Sequence, residues 1–103
     1  MKGVILGMRL KVKPLLTIKG VMGNNADLEM EMEYATIRGL LVELSSKYGE
    51  DFRDEFLDPE TLEIKRHYLL LVNGRHYLDL PDRLDTRLSE GDLVVLSPPL
   101  AGG

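Results

Sequence analysis

The sequence predicts an α+β domain in which a mixed sheet of about four to five strands packs on one main helix. Three observations predict this class: two segments of alternating period near the N-terminus, one segment of helical period, and further strand signals that end in a continuous apolar run. The chain has 103 residues, which fits one domain, and 44% of them are apolar, which suffices for a core.

Alternating apolar and polar side chains indicate the first two strands. Apolar residues occupy every second position over residues 4–12, and again over residues 28–32, where glutamates alternate with them. Pro14 ends the first strand because proline has no N–H to donate to a sheet. The Gly- and Asn-rich segment 20–27 predicts a turn, so we expect the two strands to pair antiparallel.

The helix follows, because the apolar period then changes to three and four residues. Thr36 suits its N-cap and Gly49 suits the position just past its end. The apolar stripe of this helix consists of Ile37, Leu40, Leu41, Leu44 and Tyr48. Phe52, Phe56 and Leu57 predict a second, short helical piece that packs on the core.

The C-terminal half supplies the remaining strands. Asn73-Gly74 is a strong hairpin signal, which predicts a strand over residues 67–72 and its partner over residues 75–78. A short turn or helix is expected over residues 80–88. The last strand covers residues 93–96, and its continuous apolar run predicts a central position beside the first strand.

Composition and charge exclude several classes of function. The formal net charge is −4, which argues against nucleic acid as the main partner. No apolar run is long enough to cross a membrane, and residues 1–7 are too short for a signal peptide, so we expect a cytoplasmic protein. The chain has no cysteine, so any sulfur that it carries cannot sit on a thiol of its own.

Two groups of side chains are candidates for binding. His67 and His76 fall on the two strands of the predicted hairpin, too far apart to share a metal ion, and we expect no metal site. Leu78, Leu80 and Leu100 could form a partner-binding patch, although core packing would explain them equally well.

The C-terminal tail is the unusual feature of the sequence. Two prolines favour a stiff, extended exit, so we divide the chain into a domain of residues 1–97 and an extended tail of residues 98–103 that ends in a flexible Gly-Gly. The last two residues are glycines, which have no side chain to clash in a narrow channel. A carboxylate is a poor acyl donor until ATP converts it to an acyl adenylate, and a slim tail suits that reaction at Gly103. The residues that would enter the channel are Pro98, Pro99, Leu100, Ala101 and Gly102.

The segment from Gly91 to Gly103 resembles the C-terminal signature of the MoaD/ThiS family of ubiquitin-like sulfur carriers, and most closely that of the small subunits of molybdopterin synthase. The segments Val72-Asn73-Gly74-Arg75 and Thr36-Ile37, the latter followed by Leu40-Leu41, also resemble the family. The resemblance covers roughly residues 8–103. It implies the β-grasp, ubiquitin-like form of the α+β class.

The resemblance also implies a function. An adenylating enzyme of the ubiquitin-activating type, which uses ATP and zinc, would work with a sulfur donor system to form a thiocarboxylate at Gly103. The tail would then enter the large subunit of molybdopterin synthase, and sulfur would pass to a pterin precursor of the molybdenum or tungsten cofactor. The carrier would bind no cofactor and would have no catalytic side chain.

Three alternatives stay open from the sequence. The sulfur could serve thiamine synthesis, tRNA thiolation or another pathway. Alternatively, the chain could be a protein modifier joined through Gly103 to lysines of other proteins. A plain binding module with an incidental tail is the third.

Overall fold

Five strands form one mixed sheet in the computed structural model, which describes residues 7–24, 27–33 and 35–100. The strands are β1 (Met8–Pro14), β2 (Leu28–Met32), β3 (Leu69–Val72), β4 (Arg75–His76) and β5 (Leu93–Ser97). Their order across the sheet is β2-β1-β5-β3-β4, with β1 and β5 parallel and the other neighbours antiparallel. The predicted central position of the last strand, beside the first, is confirmed.

Three α-helices and two short 3-10 turns complete the domain. The helices are α1 (Thr17–Val21), α2 (Ile37–Tyr48) and α3 (Glu50–Phe56), and the turns cover Tyr77–Asp79 and Arg83–Asp85. None of the helices within the described residues is long and apolar enough to cross a membrane. This arrangement of a mixed sheet and one main helix is the β-grasp fold that we expected.

The first strand alternates as its sequence predicts. From Leu10 onward every second residue of β1 is buried, and the lysines between them are exposed. On the exposed face Arg9 and Lys11 lie opposite Glu31 and Glu29 of β2, so unlike charges pair across the strands. Positions 1–6, which include the start of the predicted alternation, lie outside the described residues.

The main helix begins and ends where the sequence predicts. The Thr36 hydroxyl accepts a hydrogen bond from the Gly39 N–H at 3.0 Å, and Gly49 adopts a φ of 77°, which glycine tolerates best. The helix buries its apolar stripe against the sheet, and Phe52 and Phe56 of α3 complete the same core. The fully buried side chains are Leu10, Val12, Ile18, Met22, Ile37, Leu40, Leu44, Phe52, Phe56, Leu70, Val94 and Leu96.

The turn predicted over residues 20–27 is wrong at its start. Residues 20 and 21 belong to α1, a helix that the sequence analysis did not anticipate. Leu16, immediately before the helix, takes a positive φ of 55°, and Ile18 and Met22 are fully buried in the core. Tertiary burial thereby overrides the local turn signal. Residues 25 and 26 lie outside the described part of the chain.

The hairpin forms as predicted, but both of its strands are shorter. Asn73 and Gly74 have φ values of 51° and 89°, as a two-residue hairpin turn requires. His67 has a φ of 70° and lies in a turn, so β3 begins only at residue 69. β4 ends at His76 because its Nδ1 accepts the Leu78 N–H at 3.1 Å and initiates a 3-10 turn.

Candidate functional site

β5 carries the chain out of the domain at one end of the sheet. Its residue Leu96 lies opposite Pro14 of β1 on one side and Leu70 of β3 on the other. The Leu15 N–H donates a further hydrogen bond to the Leu96 carbonyl at 2.9 Å. The tail therefore starts from the centre of the sheet, where its direction is fixed by strands on both sides.

The transition from domain to tail takes place at the two prolines. Ser97 is only 2% exposed, and its hydroxyl donates to the Pro98 carbonyl at 2.8 Å. Pro98 is still buried, whereas Pro99 and Leu100 are exposed. Because neither proline has an N–H, the sheet ladder stops here. Positions 101–103, including the predicted reacting group at the last glycine, lie outside the described residues.

A groove of about 480 Å³ lies where the tail leaves the domain, lined by His67, Leu69, Pro99 and Leu100. A second groove of about 690 Å³ shares His67 and Leu69 with it and extends to Leu78. The two grooves thus form one continuous surface, which we call the tail-exit face and define by His67, Leu69, Leu78, Pro99 and Leu100.

The structure separates the three predicted patch leucines. Leu78 is 49% exposed and Leu100 is 56% exposed, and both lie on the tail-exit face. Leu80 is partly buried, packs against the core and lines neither groove of the tail-exit face. An apolar patch beside the tail can gain free energy when a partner covers it.

Hydrogen bonds join the elements close to this face. The carboxylate of Glu55 accepts from the Thr17 hydroxyl at 3.0 Å and from the Tyr68 hydroxyl at 3.1 Å, which joins α3 to α1 and to the residue before β3. Burial raises the pKa of Tyr68, and Glu55 raises it further. Burial also raises the pKa of Tyr77, with Glu63 adding to the shift. Both phenols therefore stay neutral at physiological pH.

The two histidines do not form a binding site together. His76 lies opposite Leu71, as the hairpin register predicts, and its ring is engaged by the Leu78 N–H. His67 is exposed in its turn. Within residues 7–24, 27–33 and 35–100, no group of three or more His, Cys, Asp or Glu side chains could hold a metal ion.

Leu16 is a residue near the site that sequence reasoning missed. It is 66% exposed although its φ is 55°, a conformation that favours glycine. It directly follows Leu15, whose N–H donates to the Leu96 carbonyl of β5. No local signal marks it, because its exposure depends on the parallel pairing of β1 with β5.

This arrangement suits the presentation of a reactive tail. Strands on both sides of β5 hold the base of the tail, and Leu69, Pro99 and Leu100 line the groove beside it. A partner that covers the tail-exit face would therefore meet the base of the tail at a fixed position on the sheet.

Comparisons with known proteins agree with this geometry. The model of the ThiS family matches residues 18–103, which include the whole tail. "Small archaeal modifier protein 3" of Haloferax volcanii is 31% identical over 96 residues, which cover 93% of this chain and all of that protein. "Putative sulfur carrier protein" of Archaeoglobus fulgidus is 32% identical over 80 residues, which cover 78% of this chain and 88% of that protein.

A solved structure shares the fold. The structure of "Putative molybdopterin converting factor, subunit 1" from Pyrococcus furiosus superposes with a TM-score of 0.69 at 27% identity. The match covers 90% of this chain and 99% of that one.

Proposed function

The chain belongs to the ThiS family of ubiquitin-like sulfur carriers and modifiers, and we propose that it carries sulfur as a thiocarboxylate on Gly103. The observation that carries the proposal is the tail itself. It leaves the central strand through two prolines, passes an exposed apolar face and ends in two glycines, and the family match runs to its last residue. The similarity to a protein named as a sulfur carrier supports the same reading.

The proposed reaction has two steps. A carboxylate oxygen of Gly103 attacks the α-phosphorus of ATP, which forms an acyl adenylate and releases pyrophosphate. A sulfur nucleophile from the donor system then attacks the acyl carbon, and AMP leaves with the former carboxylate oxygen. When that nucleophile is hydrogen sulfide ion, a carbon–sulfur bond replaces the carbon–oxygen bond to AMP, one proton is lost, and the chain ends in a thiocarboxylate. ATP and zinc belong to the activating enzyme, and this chain binds neither.

The size of the side chains in the tail decides whether the terminal carboxylate can reach the ATP bound by the activating enzyme. Gly102 precedes the reacting group and has no side chain, so an enzyme channel can close tightly around the backbone. The prolines hold the tail extended, which lowers the entropy lost when it enters the channel. The tail-exit face would dock on the activating enzyme and hold the tail in register.

As the recipient of the sulfur we propose a pterin precursor of the molybdenum or tungsten cofactor. In that role the chain is the small, non-catalytic subunit of molybdopterin synthase, and its tail enters the large subunit. Support comes from the likeness to the Pyrococcus furiosus structure named as a molybdopterin converting factor subunit.

A second candidate function is protein modification through Gly103. The likeness to a protein named as an archaeal modifier favours it. The first step is the same, since an activated Gly103 can also be attacked by a lysine amine to give an isopeptide bond. Thiamine synthesis and tRNA thiolation are further possible destinations of the sulfur.

Intact-protein mass spectrometry tests the shared first step. The chain is incubated with the adenylating enzyme from the same source, ATP and a sulfide donor. We expect a mass gain equal to the replacement of one oxygen by sulfur, localised to Gly103. A chain extended beyond Gly103 is the control and should not change, because its carboxylate is displaced. If the extended chain is adenylated at its new end, the carrier mechanism is wrong.

A second experiment separates the recipients. The thiocarboxylated chain is mixed either with the large synthase subunit and the pterin precursor, or with cell extract and ATP. Conversion of the precursor to its dithiolene product supports the pterin role. Chain-sized adducts on lysines, lost when Gly103 is deleted, support the modifier instead.

A further inference from the structure

A third groove lies on the helical side of the domain, between α2 and the loop that follows α3. Its volume is about 570 Å³. We call it the helical groove and define it by Arg38, Val42, Arg53, Leu57 and Leu62, which all line it. None of these five residues lines either groove of the tail-exit face. A ligand there would therefore contact mainly different side chains from a partner of the tail; Thr61 alone lines both the helical groove and the larger groove of the tail-exit face.

Leu62 is the residue that requires an explanation. Its φ is 62°, in the left-handed region where leucine is unfavourable and Asn or Gly is preferred. Its side chain is 60% exposed, so little burial within this chain offsets the strain. The backbone of the loop is fixed, because the Leu62 N–H donates to the Asp58 carbonyl at 2.7 Å and the Asp58 N–H donates to the Glu63 carbonyl at 2.7 Å. The chain thus presents a leucine where folding alone favours another residue.

Val42 lines the same groove from α2. It is 64% exposed and stands outside the buried stripe of that helix. Two large exposed apolar side chains thus line one groove, with Leu57 buried between the helix and the loop. Such a groove can take up an apolar side chain from a partner.

The charge of the helical groove is opposite to that of the whole chain. The chain has 17 acidic and 13 basic residues, yet the described residues that line this groove include two arginines and no carboxylate. Arg38 pairs with Asp85 at 3.1 Å. Arg53 is half-buried and makes no ion pair within the part of the chain that the structure describes. A half-buried arginine without a carboxylate favours an anionic partner.

We propose that the helical groove binds an acidic segment of a partner protein. The segment inserts an apolar side chain between Val42 and Leu62 and places a carboxylate on Arg53. This inference does not rest on the chemistry of the tail, because it uses none of the residues of the tail-exit face.

Fluorescence anisotropy with designed peptides tests the proposal. The probe is a fluorescein-labelled amphipathic peptide with leucines at helical spacing and glutamates elsewhere, and its counterpart carries lysine in place of every glutamate. We expect the glutamate peptide to bind and the lysine peptide not to bind. In NMR spectra, the methyl signals of Val42 and Leu62 should shift, and those of Leu78 and Leu100 should not.

Three variants locate the site. Arg53→Glu should weaken binding of the glutamate peptide by roughly tenfold or more, because it replaces attraction with repulsion. Arg75→Glu makes the same charge change on the exposed hairpin and should bind as the native chain does. Leu62→Asn should weaken binding while thermal stability stays the same or rises, since Asn suits the left-handed backbone. A residue retained only for folding would not show this combination.

Several results would overturn the proposal. They are equal binding of the two peptides, native affinity in both groove variants, or no binding of the glutamate peptide up to its solubility limit. Concentration-dependent broadening of the Val42 and Leu62 signals without peptide, together with a larger mass in sedimentation, would instead show a second copy of the chain in the groove.

Discussion

Leu100→Ala should weaken activation of the tail without weakening the fold. Leu100 is 56% exposed beside the tail, so a docked enzyme can remove about half of its side chain from water. Full burial of a leucine is worth about 1.5–3 kcal/mol, which gives about 1–1.5 kcal/mol for the exposed part. The alanine variant loses most of this gain, so KM for the carrier should rise about tenfold.

The assay is the initial rate of thiocarboxylation at increasing carrier concentration, with thermal unfolding measured in parallel. The matched control is Leu93→Ala. Leu93 is the first residue of β5, the strand that leads into the tail, so it lies at the end of β5 away from the tail, and it is 37% exposed. We expect a raised KM only for the Leu100 variant and a lowered Tm only for the Leu93 variant, since Leu93 lies in the central strand and is more than half buried. An equal rise for the two variants would refute the reasoning that docking is confined to the tail-exit face. An unchanged KM for the Leu100 variant would show that this leucine is not covered.

Three further predictions concern the cap, the tyrosine and the tail. Thr36→Ala removes the acceptor for the Gly39 N–H and should lower the free energy of unfolding by about 1 kcal/mol, measured in urea; an unchanged midpoint would contradict the cap's role. Tyr68→Phe should cost about 1 kcal/mol for the lost hydrogen bond to Glu55. The pKa of Tyr68 is raised above 10.0, so the difference in unfolding free energy between the native chain and Tyr68→Phe should be constant up to pH 10.0. It should disappear as the pH rises through the raised pKa. A difference that survives above the raised pKa would count against the hydrogen bond. Gly102→Val should lower thiocarboxylation by about a hundredfold at unchanged Tm, and a shifted Tm would place the tail in the core instead.

The sequence predicts the parts of this fold that depend on local signals. The hydroxyl of Thr36 caps the helix, and Asn73-Gly74 makes the hairpin turn, because each needs only its immediate neighbours. The alternation of β1 reflects burial on one face of the sheet. The apolar run of β5 reflects its central position, with Val94 and Leu96 fully buried and Leu93 37% exposed. These signals were enough to place the last strand in the centre.

The parts that the sequence does not predict depend on contacts between distant segments. Nothing near Leu16 or His67 indicates a positive φ, and each of these residues changes where the next element starts. Leu80 and Leu78 have the same side chain two positions apart, and only the packed structure shows that one joins the core while the other is exposed. The helical groove is missed for the same reason, because a helix and a loop must come together to form it.

Pro98 and Pro99 divide the residues that fold the domain from those that are proposed to take part in the chemistry of the tail. Every residue of β5 up to Ser97 lies in the central strand, so a change there disturbs pairing with two neighbours at once. Pro99 and Leu100 are exposed and contribute little to the core. Under the proposed function, selection on Pro99 and Leu100 would act mainly through a partner that binds the tail, since both residues are exposed. In that proposal the partner's channel, and not the domain's core, limits the size of the side chains in the tail. Small residues are therefore expected there.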